Sequence, residues 1–152
     1  IHLVIAKLKN ANLSNANLTG ANLSKANLSG AKFYGADLSK INLSNANLSG
    51  AKIDYANLSG AKLIEADLSD ANLYGSNFSG TNLSGANLSN SNLSGIDIDY
   101  ADLSGANLTG ADLTGADLSY SNLTGANLSE INLTGAILCN TETPWGMDYS
   151  GC

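Results

Sequence analysis

Few side chains in this chain of 152 residues could take part in catalysis. His2 is the only histidine, so no Ser-His-Asp or Cys-His arrangement can be built around another internal base. Serines are numerous, but a hydroxyl without an activating partner is an ordinary surface group. The sequence therefore predicts a protein that is not an enzyme and has no catalytic residues.

Three aspartates, Asp97, Asp99 and Asp117, are the candidates for binding a cation. Carboxylate oxygens are the ligands that hard cations prefer, but such a group would hold a cation only weakly, and an exposed acidic patch is the simpler interpretation. There is no glycine-rich phosphate loop either, because each glycine falls on a five-residue period or in the last residues. We predict no metal and no cofactor.

Charge is distributed unevenly along the chain, whose net charge is −6. Residues 1–62 hold all seven lysines and only two carboxylates, Asp37 and Asp54, for a net +5. Residues 63–152 hold eleven carboxylates and no basic side chain, for a net −11. The basic end and the acidic end would attract different charged partners, although a solvated surface that drifts in composition explains the same pattern.

A strict five-residue repeat must position these side chains. Residues 11–30 read ANLSNANLTGANLSKANLSG, and every fifth residue from Leu3 to Leu138 is apolar, at 28 of 28 positions. On a helix this spacing would spread the leucines around the axis, and on a strand it would send alternate leucines to opposite faces. A chain that turns by roughly a right angle every pentad buries all of them. Four pentads then make one coil, and residues 1–140 make about seven such coils. The predicted core includes Leu13, Leu18, Phe33, Ile53, Phe78 and Ile98.

The A(N/D)LxG repeats resemble the pentapeptide-repeat family. The resemblance implies an all-β fold, a right-handed quadrilateral β-helix or solenoid, over residues 1–140 as 28 pentads. Residues 20 apart should then stack in columns. The fifth pentad position is Gly at 14 sites and Asn at 5, which indicates corners of positive φ. We expect the nine corners with Lys, Tyr, Glu, Asp or Ile to use a different turn without positive φ.

The stacking rule also places residues that depart from the consensus on the outside. Tyr34, Asp54 and Tyr74 should form one outer column, and Tyr100 and Tyr120 another. Aromatic side chains are enriched at binding hot spots, although scattered exposed tyrosines are also ordinary. The candidate interaction surface consists of Tyr34, Asp54, Tyr74, Tyr55, Tyr100, Tyr120, Asp97, Asp99 and Asp117, with Ile64 as a further departure.

The repeat stops before the last twelve residues, and we expect residues 141–152 to cap the open end of the coil. Trp145, Met147 and Tyr149 would supply the covering surface. The tail is similar to the C-terminal tails of cyanobacterial pentapeptide-repeat proteins, and a disulfide between Cys139 and Cys152 would hold the cap in place. Two free thiols in a reducing cytoplasm are the alternative. A bridge would favour the periplasm or a thylakoid lumen.

The first coil is unusually apolar, through Ile1, Leu3, Val4 and Ile5. We expect it to be covered by a preceding segment or to associate end-on with another molecule, including a second copy. The chain has no run of about 18 apolar residues, so no membrane span is expected.

Two functions fit these observations. The first is a non-catalytic scaffold or protein-interaction module of cyanobacterial type, a rigid rod that presents variable outer residues to an unknown protein partner. The alternative comes from the resemblance: some family members mimic DNA and bind DNA gyrase or another type II topoisomerase, and the acidic half, residues 63–152, is compatible with that role. Direct binding of nucleic acid is not expected.

Overall fold

The computed structural model describes residues 3–152, so the predictions for Ile1 and His2 lie outside the described residues. Residues 3–152 contain two short strands, β1 (Thr141–Thr143) and β2 (Gly146–Asp148), and no helix. It follows that none of the described residues forms a helix able to cross a membrane.

Parallel backbone pairing between residues 20 apart organises the rest of the chain. The second residue of a pentad pairs with its equivalent four pentads later, from Lys7 with Asn27 to Asn122 with Glu142. Each central leucine N–H of the inner coils donates to the carbonyl of the second pentad residue one coil later, as Leu58 does to Asn77 at 2.7 Å. Such ladders pair most backbone N–H groups of the inner coils, and they give the four-sided coil that the five-residue period predicts.

Every corner from Ile5 to Asn140 has positive φ, between 54° and 70°, whichever residue occupies it. The expectation that nine corners would use a different turn is therefore wrong. Nearly every corner is closed by a hydrogen bond from the next pentad's first N–H to the central carbonyl, as from Ala56 to Ile53 at 3.1 Å. Only the second of the two enclosed residues has positive φ, as in a type II turn. Because each corner stacks on an identical corner, its residue follows the common geometry even where a side chain makes that conformation unfavourable.

Side chains at the second position reinforce most corners. The Oδ1 of Asn82, for example, accepts hydrogen bonds from the Ser84 N–H at 3.0 Å and from the Ser84 hydroxyl at 2.8 Å. Similar local bonds recur in most pentads and are characteristic of Asn and Asp in turns. The Asn-x-Ser and Asp-x-Thr triplets of the repeat are therefore turn-forming elements.

The first and third pentad positions point into a single continuous core. Phe33, Ile53, Phe78 and Ile98 are at most 1% exposed, and Leu18 is 9% exposed. Leu13 lies within the first coil and is only partly buried against this core. Where Ser replaces Ala at the first position, its hydroxyl donates back to a central carbonyl, as from Ser121 to Leu118 at 2.6 Å, so the polar group is satisfied.

The tail forms an antiparallel hairpin of β1 and β2, with Thr141 paired to Asp148. Strand β1 continues the coil, because Glu142 still pairs with Asn122. The chain then reverses through Pro144 and Trp145. We expected Trp145, Met147 and Tyr149 to cover the end of the coil. Their side chains are instead 64%, 49% and 60% exposed, so they do not form the covering surface. The buried side chains of the tail are Thr141 and Thr143, at 0% and 4% exposure.

Candidate interaction surface

Three tyrosines, Tyr34, Tyr55 and Tyr74, form one exposed group, here called the tyrosine cluster. The ring centroids of Tyr34 and Tyr55 are 5.7 Å apart, and those of Tyr55 and Tyr74 are 5.4 Å apart, both edge to face. The three side chains are 43–53% exposed. The predicted column of Tyr34, Asp54 and Tyr74 is thus joined by Tyr55 from the neighbouring column, while the Asp54 carboxylate accepts a hydrogen bond from Asn72 at 3.3 Å.

A glycine makes room for Tyr55 within the tyrosine cluster. Gly75 is the next residue in the column of Tyr55, and a Cβ at Gly75 would lie 3.1 Å from the Tyr55 ring. The ring therefore lies along the coil axis over a residue without a side chain. Partial removal from water, the nearby Tyr74 and Tyr34 hydroxyls, and the charge of Asp54 raise the pKa of Tyr55. The ring thus stays neutral and available for packing at physiological pH.

Tyr100 and Tyr120 form a second group, here called the tyrosine stack. Their rings are nearly parallel, with an interplanar angle of 5° and centroids 4.9 Å apart. The side chains are 62% and 52% exposed, so most of the outer aromatic area of the stack faces solvent. The next residue in the column is Asn140, whose side-chain amide donates to the Cys139 Sγ at 3.3 Å.

Asp97, Asp99 and Asp117 form an acidic cluster beside the tyrosine stack. Asp97 pairs with Asp117 through the backbone ladder, and Asp99 takes the fourth pentad position, where most pentads have Ser or Thr. One carboxylate oxygen of Asp99 is buried without a hydrogen-bond partner. Within residues 3–152, no group of three or more His, Cys, Asp or Glu side chains is arranged to hold a metal ion.

The carboxylate of Asp99, where most pentads have a Ser or Thr hydroxyl, affects the pKa of Asp97. Partial burial and then the charges of Asp99 and Asp117 raise the pKa of Asp97. Asp112 shows the contrasting arrangement, since the Thr114 hydroxyl donates to its carboxylate at 2.6 Å and lowers the pKa of Asp112. Asp97 faces a carboxylate where Asp112 faces a hydroxyl donor, so the acidic cluster holds negative charges close together at a cost to stability.

The tyrosine stack and the acidic cluster occupy the same two pentads, 96–100 and 116–120, which pair directly. The tyrosine cluster belongs to the neighbouring side of the coil, in pentads 31–35, 51–55 and 71–75. All nine predicted surface residues are thus gathered on two adjacent sides. The described residues 3–152 enclose no pocket, so these groups lie on an open surface.

A comparison with protein families now identifies the repeat. The sequence model of the family described as pentapeptide repeats (8 copies) matches the chain in four segments: residues 6–45, 41–80, 76–115 and 116–142. The chain belongs to the pentapeptide repeat family. Pentapeptide repeat proteins fold as right-handed quadrilateral β-helices, and they are in general structural or interaction modules.

Solved pentapeptide repeat proteins resemble this chain. HetL, involved in heterocyst differentiation regulation in the cyanobacterium Nostoc sp. strain PCC 7120, is 31% identical, with 92% of this chain and 81% of HetL covered and a TM-score of 0.29. Rfr23 from the cyanobacterium Cyanothece 51142 is 31% identical over 82% of this chain and 85% of its own, with a TM-score of 0.32. The plasmid-mediated fluoroquinolone resistance protein QnrB1 is 21% identical over 89% and 90% of the two chains, with a TM-score of 0.46. No curated protein sequence matches the chain.

Other predicted residues lie at the two ends of the pentapeptide repeat. Cys139 and Cys152 form a disulfide with a Cα–Cα distance of 4.8 Å. The first described coil exposes three large apolar side chains, at 39%, 47% and 67%: Leu3, Val4 and Ile5. End-on association through these residues and Ile1 remains a prediction, and Ile1 lies outside the described residues.

Sequence reasoning missed two features of the pentapeptide repeat surface. The insertion of Tyr55 between Tyr34 and Tyr74 was signalled by Gly75, the small residue 20 positions after Tyr55. The role of Asn140 as a donor to Cys139 had no such signal, because Asn is also an ordinary corner residue of the repeat.

Proposed function

We propose that this pentapeptide repeat protein is a non-catalytic scaffold that binds a protein partner, with a rod of about seven coils and a C-terminal cap formed by residues 141–152. The observation that carries the proposal is the grouping of five exposed tyrosines into the tyrosine cluster and the tyrosine stack. They stand where the repeat otherwise has Ser or Gly, so the packing of the coil does not require them.

The geometry of these tyrosines suits an interface. Each tyrosine loses few rotatable bonds on binding, and ring contacts to a neighbouring tyrosine already hold it in place, so little further entropy is lost. Exposed fractions of 43–62% leave a large aromatic area for a partner to cover. The backbone beneath is fixed by the ladder on both sides of each pentad, so the two groups keep a constant spacing along the rod.

The test uses consensus residues to remove each group without disturbing the coil. One variant carries Tyr34→Ser, Tyr55→Gly and Tyr74→Ser, and a second carries Tyr100→Gly and Tyr120→Gly. A matched control carries three substitutions that restore consensus corners on the other two sides of the coil: Lys25→Gly, Glu65→Gly and Asp70→Gly.

Each protein is used as bait in the lysate of a cyanobacterium, and captured proteins are identified by mass spectrometry. We expect at least one protein to be captured by the wild type and the control, and lost with one or both tyrosine variants. Equal capture by all four baits, or no capture by any, would contradict the proposal. Thermal unfolding of each bait verifies that the coil remains folded.

A DNA mimic that binds DNA gyrase or a related topoisomerase is the second candidate, favoured by the acidic cluster and by the net −11 of residues 63–152. A negatively charged rod could occupy a DNA-binding groove by electrostatic complementarity. The basic segment, residues 1–62, would oppose that attraction. This candidate predicts inhibition of gyrase supercoiling at micromolar protein that weakens with added salt. Absence of inhibition at low salt would eliminate it.

A further inference from the structure

The last four residues of the chain fold back over the last pentad of the coil. The Leu138 N–H donates to the Ser150 carbonyl at 2.8 Å, in the same way that the Leu118 N–H donates to Ile137 at 2.9 Å one coil earlier. A Cβ at Gly151 would lie 3.1 Å from the Ile137 side chain. Residues 149–152, here called the return segment, therefore take the place that the next coil would occupy over pentad 136–140.

Apart from the disulfide, little holds the return segment. Its interactions with the coil are the bond from Leu138 to Ser150, the contact of Gly151 with Ile137, and a long contact of 4.0 Å from the Asn140 amide to the Cys152 Sγ. All four of its residues are exposed. The Ser150 N–H also donates to the Asp148 Oδ1 at 2.8 Å, but Asp148 belongs to the exposed hairpin strand β2 and not to the coil. One backbone hydrogen bond to the coil and this local bond do not offset the conformational entropy lost when four exposed residues are ordered. The Cys139–Cys152 bond therefore decides whether the return segment stays in place.

Strand β1 is held independently of the disulfide. Thr141 is fully buried, and its hydroxyl donates to the Leu118 carbonyl at 2.8 Å. The Glu142 N–H donates to Ser121 at 2.9 Å, which continues the ladder of the coil. Loss of the disulfide should therefore free the return segment while β1 and the coil remain folded.

We propose that the Cys139–Cys152 disulfide is a redox latch that covers or uncovers the edge of the last pentad. Cys152 is exposed and Cys139 is half-buried, so the thiolate of a dithiol reductant attacks the Cys152 Sγ. The S–S bond breaks and Cys139 leaves as a thiolate, towards which the Asn140 amide donates from 3.3 Å. The second thiol of the reductant then displaces Cys152. The protein gains two electrons and two protons as two thiols, and the reductant becomes a disulfide.

Opening the latch exposes an edge beside the tyrosine stack. Leu138, now 8% exposed, loses its cover, and its N–H becomes free to pair with another strand. Asn140, Tyr120 and Tyr100 form one column, so the uncovered pentad adjoins the exposed aromatic rings. Reduction therefore adds the edge of pentad 136–140 to the surface around the tyrosine stack, and oxidation covers that edge again. This change does not depend on whether the tyrosines bind a partner.

Hydrogen exchange measured by mass spectrometry tests the proposal on the full chain, oxidised and after reduction with dithiothreitol. We expect exchange of the Leu138 amide, which loses its hydrogen bond to Ser150, to become about tenfold faster or more on reduction. Exchange of the Ile137 amide, which donates to Ala116 in the coil, and exchange across residues 86–107 should be unchanged. A Cys152→Ser variant, without reductant, should match the reduced protein. Unchanged protection of the Leu138 amide in both samples would overturn the proposal. Faster exchange across residues 86–107 would overturn it as well, because the disulfide would then hold the whole coil.

The role of Asn140 is tested by the rate of reduction. An Asn140→Gly variant keeps a residue suited to the φ of 55° at this corner but removes the amide donor. We expect reduction by dithiothreitol to be about threefold slower in the variant, because the leaving thiolate loses its hydrogen bond. An equal or faster rate would show that Asn140 does not assist the leaving sulfur.

Discussion

Among single residues, Asp99 imposes a local cost on the acidic cluster. In other pentads that have Asn or Asp at the second position, the fourth residue supplies an N–H and often a hydroxyl to that side chain. Asp99 replaces the hydroxyl with a carboxylate, and one of its own oxygens is buried without a partner. Residues that weaken the fold without a packing role are candidates for function, since the coil itself gains nothing from them.

An Asp99→Ser substitution should therefore stabilise the protein, by about 0.5–1 kcal/mol. The serine restores a donor to Asp97 and removes one of the charges that raise the pKa of Asp97. Chemical denaturation at pH 7 measures the change in the free energy of unfolding. An Asp67→Asn substitution, at a position where Ser69 already donates to the carboxylate, serves as a control of nearly unchanged stability.

The pH dependence of stability should show the same effect. Because the pKa of Asp97 is higher in the folded than in the unfolded protein, the folded state binds more protons between the two values. The contribution of Asp97 to stability therefore falls as pH rises through that interval and recovers on acidification. In Asp99→Ser this contribution should become smaller. An NMR titration that finds the same Asp97 pKa in both proteins would contradict the assignment.

Within each pentad, the positive φ at the corner is the constraint that the sequence pattern concealed. Gly80, with a φ of 63°, has open space within 4 Å of the position that a Cβ would take, so a methyl group there would meet no steric obstacle. Gly80→Ala should nevertheless destabilise the protein by about 1 kcal/mol, because alanine disfavours this conformation. Thermal or chemical unfolding measures the loss. The converse change, Lys40→Gly, should be neutral or stabilising, and a destabilising Lys40→Gly would contradict this explanation.

Core leucines should differ in importance according to their position along the coil. Leu63 is fully buried, whereas Leu13 is only partly buried. Leu63→Ala should cost about 3 kcal/mol by removing buried methyl groups and leaving a cavity, and Leu13→Ala should cost clearly less. Urea denaturation of the two variants provides the comparison. Equal losses would indicate that the coil is packed uniformly to its first turn.

The stacking of residues 20 apart could be predicted because an odd period of five is incompatible with a single helix or strand. The corner conformations could not be predicted, since residues such as Tyr55 and Lys40 disfavour positive φ. Only the stacked hydrogen bonds of neighbouring corners override that preference. The hairpin of the tail was equally hidden. Thr141 and Thr143 are buried by pairing and hydrogen bonds, whereas the more apolar Trp145 lies at the turn and stays exposed.

From end to end, the described chain is asymmetric. Leu3, Val4 and Ile5 are exposed at one end, where the charge is basic, and the tail lies at the other, where the charge is acidic. A contact between unlike ends of two copies is open and can repeat, in contrast to a closed symmetric dimer.

We expect the chain of residues 1–152 to associate in a concentration-dependent way that weakens with salt, because exposed apolar and oppositely charged ends attract each other. Sedimentation velocity measures this directly. Substitution of Val4→Ser with Ile5→Gly should reduce the association, and Tyr100→Gly should leave it unchanged. Association that is equally strong in the Val4→Ser and Ile5→Gly variant would place the contact elsewhere.

The tyrosine cluster and the tyrosine stack should together be the surface that a partner contacts. Site-specific photocrosslinking reports that contact itself, with a benzophenone amino acid placed at Tyr74 or Tyr100 and, as controls, at the exposed corners Lys25 and Glu65. We expect a crosslinked product of defined mass from the tyrosine sites and none from the control corners. Crosslinks from Lys25 or Glu65 alone, or equal crosslinks from all four positions, would contradict this role for the tyrosines.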